Sequence, residues 1–181
     1  MFRFALPLVL VLPTALLADD VKSPTKILYV PTPEAVVEKM LDFGGVKKGD
    51  VIFDLGCGDG RVVCIAAKKF GIKGVGVDID PARIEDSKKT IKKYDVDKLV
   101  DIRKGDALKV PDLGDATVVA LYMLPDFMEL WEPIAKKTLK PGTRIISHDF
   151  RFPNWTPDKE LEFEGPDRMH TLYMWIVKKK D

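Results

Sequence analysis

The chain has 181 residues and a nearly balanced charge, with 29 basic and 28 acidic side chains. This length fits one domain, and the lack of a basic excess argues against nucleic acid as a partner. Its two cysteines are too few for a disulfide framework, and its histidines and cysteines show no metal-ligand spacing, so no metal site is expected.

The N-terminal segment 1–18 is apolar, and Arg3 is its one charged residue. A basic residue, an apolar stretch and Ala18 before a polar start are typical of a secretory signal peptide, and the stretch is short for a membrane-spanning helix. We predict a signal peptide or membrane anchor there, with residues 19–181 as a single domain. The expected location is therefore periplasmic or membrane-associated, and a cytoplasmic location is the alternative.

The first element predicted after this segment is a helix from Pro33 to about Phe43. Thr32 suits the N-cap and Pro33 suits the first helical position. Apolar residues recur at helical spacing, and Gly44 ends the pattern.

A strand, a glycine-rich loop and a helix follow. Val51–Phe53 is apolar and leads into Asp54, residues 56–60 contain three glycines, and an apolar helix is predicted over 61–70. Glycines allow a sharp turn close to a ligand, and the free N–H groups of the helix favour an anionic group such as a carboxylate. This arrangement predicts a ligand-binding loop.

The loop does not fit a dinucleotide site well. A dinucleotide motif would need a third glycine at position 61, which is Arg61, and the Asp54 carboxylate would repel a pyrophosphate. An acid at that point suits an ammonium group. S-adenosylmethionine carries an ammonium, a carboxylate, a sulfonium and a ribose, so the loop favours it over a nicotinamide cofactor. A nicotinamide-dependent reductase remains the weaker alternative.

The second strand, 73–77, ends in Asp78. This acid lies 22 residues after Gly56, a distance at which a carboxylate can bind ribose hydroxyls. Asp80 is a competing acid, but it directly precedes Pro81 and is typical of a cap for the helix predicted over 81–94.

Further strands and one more helix are predicted over the rest of the chain. It predicts strands over 99–103, 116–122 and 143–147, a helix over 125–139, and a final antiparallel pair over 161–164 and 170–177. The predicted fold is an α/β three-layer sandwich with a Rossmann-like, mostly parallel seven-stranded sheet and an antiparallel terminal hairpin. Ligands in such sheets bind at the carboxyl ends of the strands. The residues predicted at those ends are Asp54, Asp78, Asp106, Tyr122 and His148.

Two motifs in this chain carry a resemblance to a known family. Asp-Leu-Gly-Cys-Gly-Asp-Gly at 54–60 and Gly-Val-Asp-Ile-Asp-Pro at 76–81 are similar to the first two motifs of class I, seven-strand S-adenosylmethionine-dependent methyltransferases. The segments 29–33, 121–125, 139–142 and 147–150 resemble the small bacterial relatives of the mitochondrial lysine methyltransferases. Those mitochondrial enzymes act on ATP synthase, at its c-ring protein, and on the adenine nucleotide translocase. The resemblance covers about residues 30–177.

The resemblance implies which residues bind the cofactor. Asp54 would hold the ammonium, the loop would cradle the methionine part, and Asp78 would bind the ribose. Asp106 and Ala107 match the position that meets the adenine, and Thr32 matches a segment that closes over the cofactor. The implied cofactor-binding set is Thr32, Asp54, Gly56, Cys57, Gly58, Gly60, Asp78, Asp106 and Ala107. For most of these the alternative is a turn, a cap or core packing.

The resemblance also implies a methyltransferase of the EC 2.1.1 class, with a protein lysine as the expected acceptor. Tyr122 would line the reacting methyl group, and His148 or Asp149 would bind the amine or accept its proton. Core packing and capping are their alternatives. A small molecule or a membrane-associated acceptor stays open, and so does a non-catalytic module that binds S-adenosylmethionine. That module would suit an exported protein, because the cofactor is made in the cytosol.

Overall fold

The computed structural model describes residues 29–179 of the chain. The prediction of a signal peptide or membrane anchor over residues 1–18 lies outside this range and stays a prediction. Among residues 29–179, no helix has both the length and the apolar character that crossing a lipid bilayer requires.

Seven strands form one sheet in the order β3-β2-β1-β4-β5-β7-β6. The first five of these are parallel neighbours, while β7 runs antiparallel to both β5 and β6. The predicted three-layer sandwich with a terminal hairpin is confirmed. The strands are β1 Val51–Leu55, β2 Lys73–Asp78, β3 Val100–Lys104, β4 Val118–Leu121, β5 Arg144–His148, β6 Lys159–Glu164 and β7 Met169–Ile176.

Helices cover both faces of the sheet, which explains why the central strands are apolar on both sides. Ile52 of β1 belongs to the core beneath the first two helices, while its neighbour Phe53 belongs to the opposite core with Trp131 of the fourth helix. The helices are α1 Glu34–Phe43, α2 Arg61–Phe70, α3 Pro81–Tyr94 and α4 Pro125–Thr138, and two 3-10 turns span Ala107–Lys109 and Leu113–Asp115.

The start of α1 differs from the prediction. Pro33, not Thr32, is the N-cap, because its ψ of 142° is extended and the helix begins at Glu34. The Thr32 hydroxyl does not cap the helix and instead lies 3.2 Å from Nδ1 of His148. The predicted N-cap was therefore wrong, and the side chain is free for another role.

The end of β5 also differs from the prediction. The strand runs one residue further, to His148, which pairs with Leu172 of β7. The antiparallel neighbour extends the strand beyond the point where its apolar run stops. This places the His148 side chain inside the sheet layer rather than in a loop.

Candidate functional site

A cavity of about 590 Å³ opens at the carboxyl ends of β1, β2 and β4. From β1 the chain adds β2 and β3 on one side and then β4 and β5 on the other, so the order of the strands reverses between β1 and β4. Ligands of open α/β sheets bind at such a point. Nine of the residues predicted to form the site line this cavity: Thr32, Asp54, Gly56, Cys57, Gly58, Asp78, Asp106, Ala107 and Tyr122. Three predicted residues lie outside it: Gly60, His148 and Asp149.

The Asp54 carboxylate is the unusual group in this cavity. Its residue is 5% exposed, and no hydrogen bond or cation from residues 29–179 offsets the cost of burying it. Burial, with the nearby charges of Asp78 and Asp59, raises the pKa of Asp54 to about 8. A buried carboxylate without a partner is costly, and a ligand ammonium would supply the missing partner. The site therefore fits the ammonium of S-adenosylmethionine.

The loop after β1 needs glycine at two positions that line the cavity. Gly56 and Gly58 have φ of 79° and 55°, in the left-handed region that favours glycine. A Cβ on Gly56 would collide with the Met123 thioether, and a Cβ on Gly58 would collide with the Tyr29 ring. The loop backbone is thus held close to its surroundings, as a cradle for a ligand requires.

Gly60 and Cys57 lie in the same loop, and the structure gives both residues a part in packing. Gly60 is the N-cap of α2 with φ of 73°, and a Cβ there would approach Ser87 Oγ to 3.1 Å. The structure places Gly60 behind the loop as a packing residue, which differs from the predicted cradle. The Cys57 thiol is buried, and that burial raises its pKa far above the usual range, which disfavours the reactive thiolate form.

Asp78 ties the loop to the following turn. Its Oδ2 accepts a hydrogen bond from the Gly58 N–H at 2.8 Å, and its Oδ1 accepts one from the Asp80 N–H at 2.9 Å. A carboxylate offers about four acceptor positions, so two remain for ribose hydroxyls. Asp80 caps α3 by accepting from the Ala82 N–H at 2.8 Å, as predicted.

Asp106 follows β3 on the same edge of the cavity. It begins the first 3-10 turn, and its carboxylate accepts a hydrogen bond from the Leu108 N–H at 2.9 Å. Asp106 therefore holds the turn that carries Ala107, and both residues face the cavity. This geometry suits both the predicted adenine contact and its alternative, a turn-capping acid.

Residues 29–32 line the cavity, and a hydrogen bond fixes this segment to α2. Arg61, which pairs with Asp59 at 2.6 Å, donates a hydrogen bond from its guanidinium to the Thr32 carbonyl at 2.9 Å. Tyr29 lies under the Arg83 guanidinium, 4.4 Å from ring centroid to Cζ. The sequence did not predict Arg61 and Tyr29 as site residues, since Arg61 stood out only as the residue that breaks a dinucleotide motif.

Tyr122 brings an aromatic face to the opposite side of the cavity. Its ring packs against the His148 ring with centroids 4.2 Å apart, and its hydroxyl lies 3.4 Å from the Arg168 guanidinium. Burial, with the charge of Asp149, raises the pKa of Tyr122 above its usual value of 10. The phenol stays neutral near pH 7, so it offers a ring surface rather than a base.

Asp149 is held away from the cavity. It has a left-handed φ of 60°, its Oδ1 accepts from the Thr171 N–H at 3.1 Å, and its Oδ2 pairs with Arg168. Burial disfavours its charge, but the hydrogen bonds from Arg168 and Thr171 outweigh burial and lower its pKa. The carboxylate is therefore committed to the β7 side, in contrast to the predicted contact with the amine.

His148 is fully buried behind Tyr122. Its Nε2 lies 2.8 Å from Nδ1 of His170 and 3.3 Å from Asp149 Oδ2. Burial lowers the pKa of His148 to about 4, so the ring is neutral at pH 7. Its side chain does not reach the cavity directly, because the extended β5 places it inside the sheet layer.

His170 joins this cluster from β7, which the sequence did not predict. Its Nε2 lies 2.9 Å from Asp167 Oδ1. Donor atoms of His148, Asp149 and His170 lie within 4.8 Å of one another, close enough to share a metal ion. Each is already engaged by a ring nitrogen, a carboxylate or Arg168, so the cluster is satisfied without one and we assign it no metal.

Comparisons with known proteins agree with this geometry. Residues 54–159 match the model of the ANTKMT methyltransferase domain. A protein-lysine N-methyltransferase of Saccharolobus islandicus is 41% identical over 150 residues, which cover 82% of this chain and 92% of that protein. A lysine N-methyltransferase of Xenopus laevis, named for the ATP synthase protein that it modifies, is 30% identical, and the match covers 83% of this chain but 65% of the frog enzyme.

A solved structure is also similar. The RNA methyltransferase from Salinibacter ruber, in complex with S-adenosylhomocysteine, has a TM-score of 0.79 and 41% sequence identity. The match covers 84% of this chain and 96% of that one. The two groups of similar proteins share a fold and differ in the acceptor that they are described as modifying.

Proposed function

This chain belongs to the family of ANTKMT methyltransferase domains, and we propose that it transfers a methyl group from S-adenosylmethionine to a lysine side chain of a protein. Family membership removes the nicotinamide-dependent reductase from consideration. The observation that carries the cofactor assignment is Asp54, whose buried carboxylate lacks a partner and faces the cavity. When bound, S-adenosylmethionine supplies a sulfonium methyl group that accepts a nucleophile's lone pair while the carbon–sulfur electron pair leaves with neutral sulfur.

The residues of the cavity divide the remaining work. Asp54 would bind the ammonium, Asp78 would bind the ribose through its two free acceptor positions, and the loop at Gly56 and Gly58 would hold the methionine part. Tyr122 offers its ring face to cationic groups, worth about 0.5–2 kcal/mol. Residues 29–32 line the cavity and would help to exclude water from the bound cofactor. Positioning and water exclusion are the main contributions such a site makes to methyl transfer.

The mouth of the cavity supports a protein acceptor. Four of its residues are large, apolar and exposed: Val30, Ile79, Leu124 and Leu130. The two arginines of the lining, Arg61 and Arg83, are each paired with carboxylates. An apolar mouth with acids inside suits a cationic side chain on a protein surface.

Methylation of RNA is a second candidate, because the similar Salinibacter ruber protein is described as an RNA methyltransferase. Affinity for RNA depends on unpaired basic groups that meet phosphates. The paired arginines and the balanced composition make this cavity a poor site for a phosphate backbone. The lysine acceptor is therefore favoured.

One labelling experiment separates these acceptors. The full-length protein is incubated with tritium-labelled S-adenosylmethionine and either a membrane or a soluble cell fraction, and each product is split for protease and ribonuclease treatment. We expect protease-sensitive label, and mass spectrometry should place it on lysine. Ribonuclease-sensitive label would establish the RNA acceptor instead. Cofactor binding without label in any fraction would favour a non-catalytic binding module.

For location, we propose export or membrane association through residues 1–18, with the cytoplasm as the alternative. The support is the apolar composition of that segment, in which Arg3 is the one charge. N-terminal sequencing of the protein recovered from separated cell fractions tests this. An intact Met1 in the soluble cytoplasmic fraction would contradict the proposal.

A further inference from the structure

A line of hydrogen-bonding groups runs from the cavity to the protein surface. It begins at the Thr32 hydroxyl, 3.2 Å from His148 Nδ1, and His148 Nε2 is 2.8 Å from His170 Nδ1. His170 Nε2 is in turn 2.9 Å from the Asp167 carboxylate. Thr32 lines the cavity, both histidines are buried, and the Asp167 side chain is 56% exposed.

The positions of the hydrogens along this line can be assigned by starting from Asp167, the group at the protein surface. An ionised carboxylate can only accept, so His170 Nε2 carries a hydrogen and donates to Asp167. If that is the single ring hydrogen of His170, its Nδ1 is an acceptor, and the 2.8 Å contact requires a hydrogen on His148 Nε2. His148 therefore accepts at Nδ1 from the Thr32 hydroxyl. Asp149, 3.3 Å from the same His148 Nε2, is also an acceptor and favours the same tautomer.

The proposed reaction creates a need for such a line. A lysine ammonium has no free lone pair, so it must lose a proton before its nitrogen can attack. When the cofactor fills the cavity and a protein acceptor fills its mouth, bulk water is a poor route for that proton. Neither Asp149, which is paired with Arg168, nor the neutral phenol of Tyr122 offers a base at the cavity wall.

We propose that the proton leaves the substrate through a relay of Thr32, His148, His170 and Asp167, an inference that rests on the proposed function. The ammonium N–H bond breaks and its proton goes to Thr32 Oγ1. Each group then passes on its own hydrogen: Thr32 to His148 Nδ1, His148 Nε2 to His170 Nδ1, and His170 Nε2 to Asp167 Oδ1. Asp167 releases one proton to water. When the product has left, reverse transfer toward water in the open cavity restores the starting tautomers.

The relay explains features that packing alone does not require. Two histidines placed in series are suited to transfer, because imidazole can accept at one nitrogen and donate at the other. The other charged groups that face the pair are Asp149 and Arg168, which bind each other, and the His170 contact of His148 Nε2 is shorter than its contact with Asp149, 2.8 Å against 3.3 Å. Thr32, His170 and Asp167 thereby become proton-transfer residues of the site.

The first test reads the tautomers and needs no activity. The chain has two histidines, so nitrogen-15 labelling of histidine in the full-length protein gives four ring signals, and a His170→Gln variant assigns them. We expect both rings to be neutral and protonated at Nε2 at pH 7. A hydrogen on Nδ1 of His148, or a doubly protonated His148 at that pH, would overturn the relay.

The second test measures lysine methylation between pH 7 and 9.5 in His170→Gln, with Asp115→Asn as a matched control. Glutamine keeps hydrogen bonds but cannot pass a proton, and Asp115 is an exposed acid before β4, at the opposite end of the parallel strands from His148. We expect turnover of His170→Gln at pH 7 to fall about 100-fold, the low end for general base catalysis. The deficit should shrink toward pH 9.5, as more lysine is already neutral.

The readouts separate a relay from a structural role. Affinity for S-adenosylhomocysteine should stay within twofold in His170→Gln, and the control should match the wild type throughout. A deficit that is constant with pH, or full turnover at pH 7, would overturn the relay while the lysine methyltransferase stands. A wild-type protein that methylates no lysine would overturn the proposed function and the relay together, whatever the tautomers are.

Discussion

On the β1–β2 side of the cavity the Asp54 carboxylate is buried without a partner, whereas on the β4–β5 side His148 and Asp149 are fully partnered. The first side is incomplete until a ligand supplies a cation. The second is complete without a ligand, so its groups are already oriented. We infer that changes on the β1–β2 side reduce cofactor affinity, while changes on the β4–β5 side reduce turnover. Four substitutions test that division, from the largest expected effect to the smallest.

The largest effect is expected from Gly58→Val. A β-branched residue costs about 1–2 kcal/mol in the left-handed region, and its Cβ would collide with the Tyr29 ring. We expect affinity for S-adenosylhomocysteine to fall roughly 100-fold or more, measured by calorimetry. The matched control is Gly71→Val, which has a similar φ of 65° but open space around the new Cβ. Equal affinities in the two variants would mean that the loop is a turn without a ligand.

Asp54→Asn should have the next largest effect. Losing a charge-assisted hydrogen bond costs about 1.5–3 kcal/mol, so affinity for S-adenosylhomocysteine should fall about 10- to 100-fold. A bound ammonium lowers the pKa of Asp54 from its value near 8, so wild-type affinity should rise between pH 6 and 8. The increase in affinity that comes from ionisation of Asp54 should be absent in the variant. Its affinity should change with pH only through titration of the ligand's own ammonium. Identical pH profiles in both proteins would remove Asp54 from the ammonium site.

Asp78→Ala should weaken affinity for S-adenosylhomocysteine by about tenfold, at the low end for a hydrogen bond to a charged group. Asp78 is less buried than Asp54 and already binds two backbone N–H groups. The control is Asp80→Ala, which loses the α3 N-cap and about 1 kcal/mol of stability. Affinity in that control should be unchanged. A larger loss of affinity in Asp80→Ala would move the ribose contact to that acid.

The smallest effect is expected from Tyr122→Phe. The ring against His148 is kept, and the weak 3.4 Å contact of the hydroxyl with Arg168 is lost. We expect turnover to fall less than about threefold, with cofactor affinity unchanged. Tyr122→Leu should lower turnover further, because removing the aromatic face raises the free-energy barrier to methyl transfer by about 0.5–2 kcal/mol. A large loss in the phenylalanine variant would assign the hydroxyl a direct part in the reaction.

The sequence predicted the local structure on the β1–β2 side of the molecule well. The strand–loop–helix pattern around Asp54 and the acid at Asp78 depend on local spacing, and the bounds of α2 and α3 agree with the prediction. Local pattern also found the Asp80 cap. Such features are encoded within about ten residues, so one sequence is enough to find them.

The β4–β5 side could not be predicted in the same way. The partner of His148 is His170, which lies 22 residues away and is brought near by antiparallel pairing of β5 with β7. The Thr32 contact with His148 spans 116 residues. Spacing along the chain carries no signal for such contacts. Asp149 was predicted to bind the amine or accept its proton because its partner Arg168 was not visible in the local sequence.

Burial changes the pKa of both Asp54 and His148, so the number of protons that they bind changes when the chain folds. With a folded pKa near 8, Asp54 holds a proton that its unfolded form has lost, and this favours folding as the pH falls from 8 to about 4. His148, with a folded pKa near 4, holds one fewer proton than its unfolded form below about pH 6.5, which opposes folding to a similar extent.

Between about pH 4 and 6.5 the two groups cancel, so together they take up no net proton when the chain folds. From about pH 6.5 to 8 only Asp54 of this pair contributes, and we expect its contribution to lower the stability of the cofactor-free protein by about 1.4 kcal/mol for each unit of rising pH. Below about pH 4 the carboxylates with lowered pKa, among them Asp50, Asp59 and Asp149, become protonated and stability falls again. We therefore expect the unpaired Asp54 carboxylate to make the cofactor-free protein more stable in mild acid than at neutral pH.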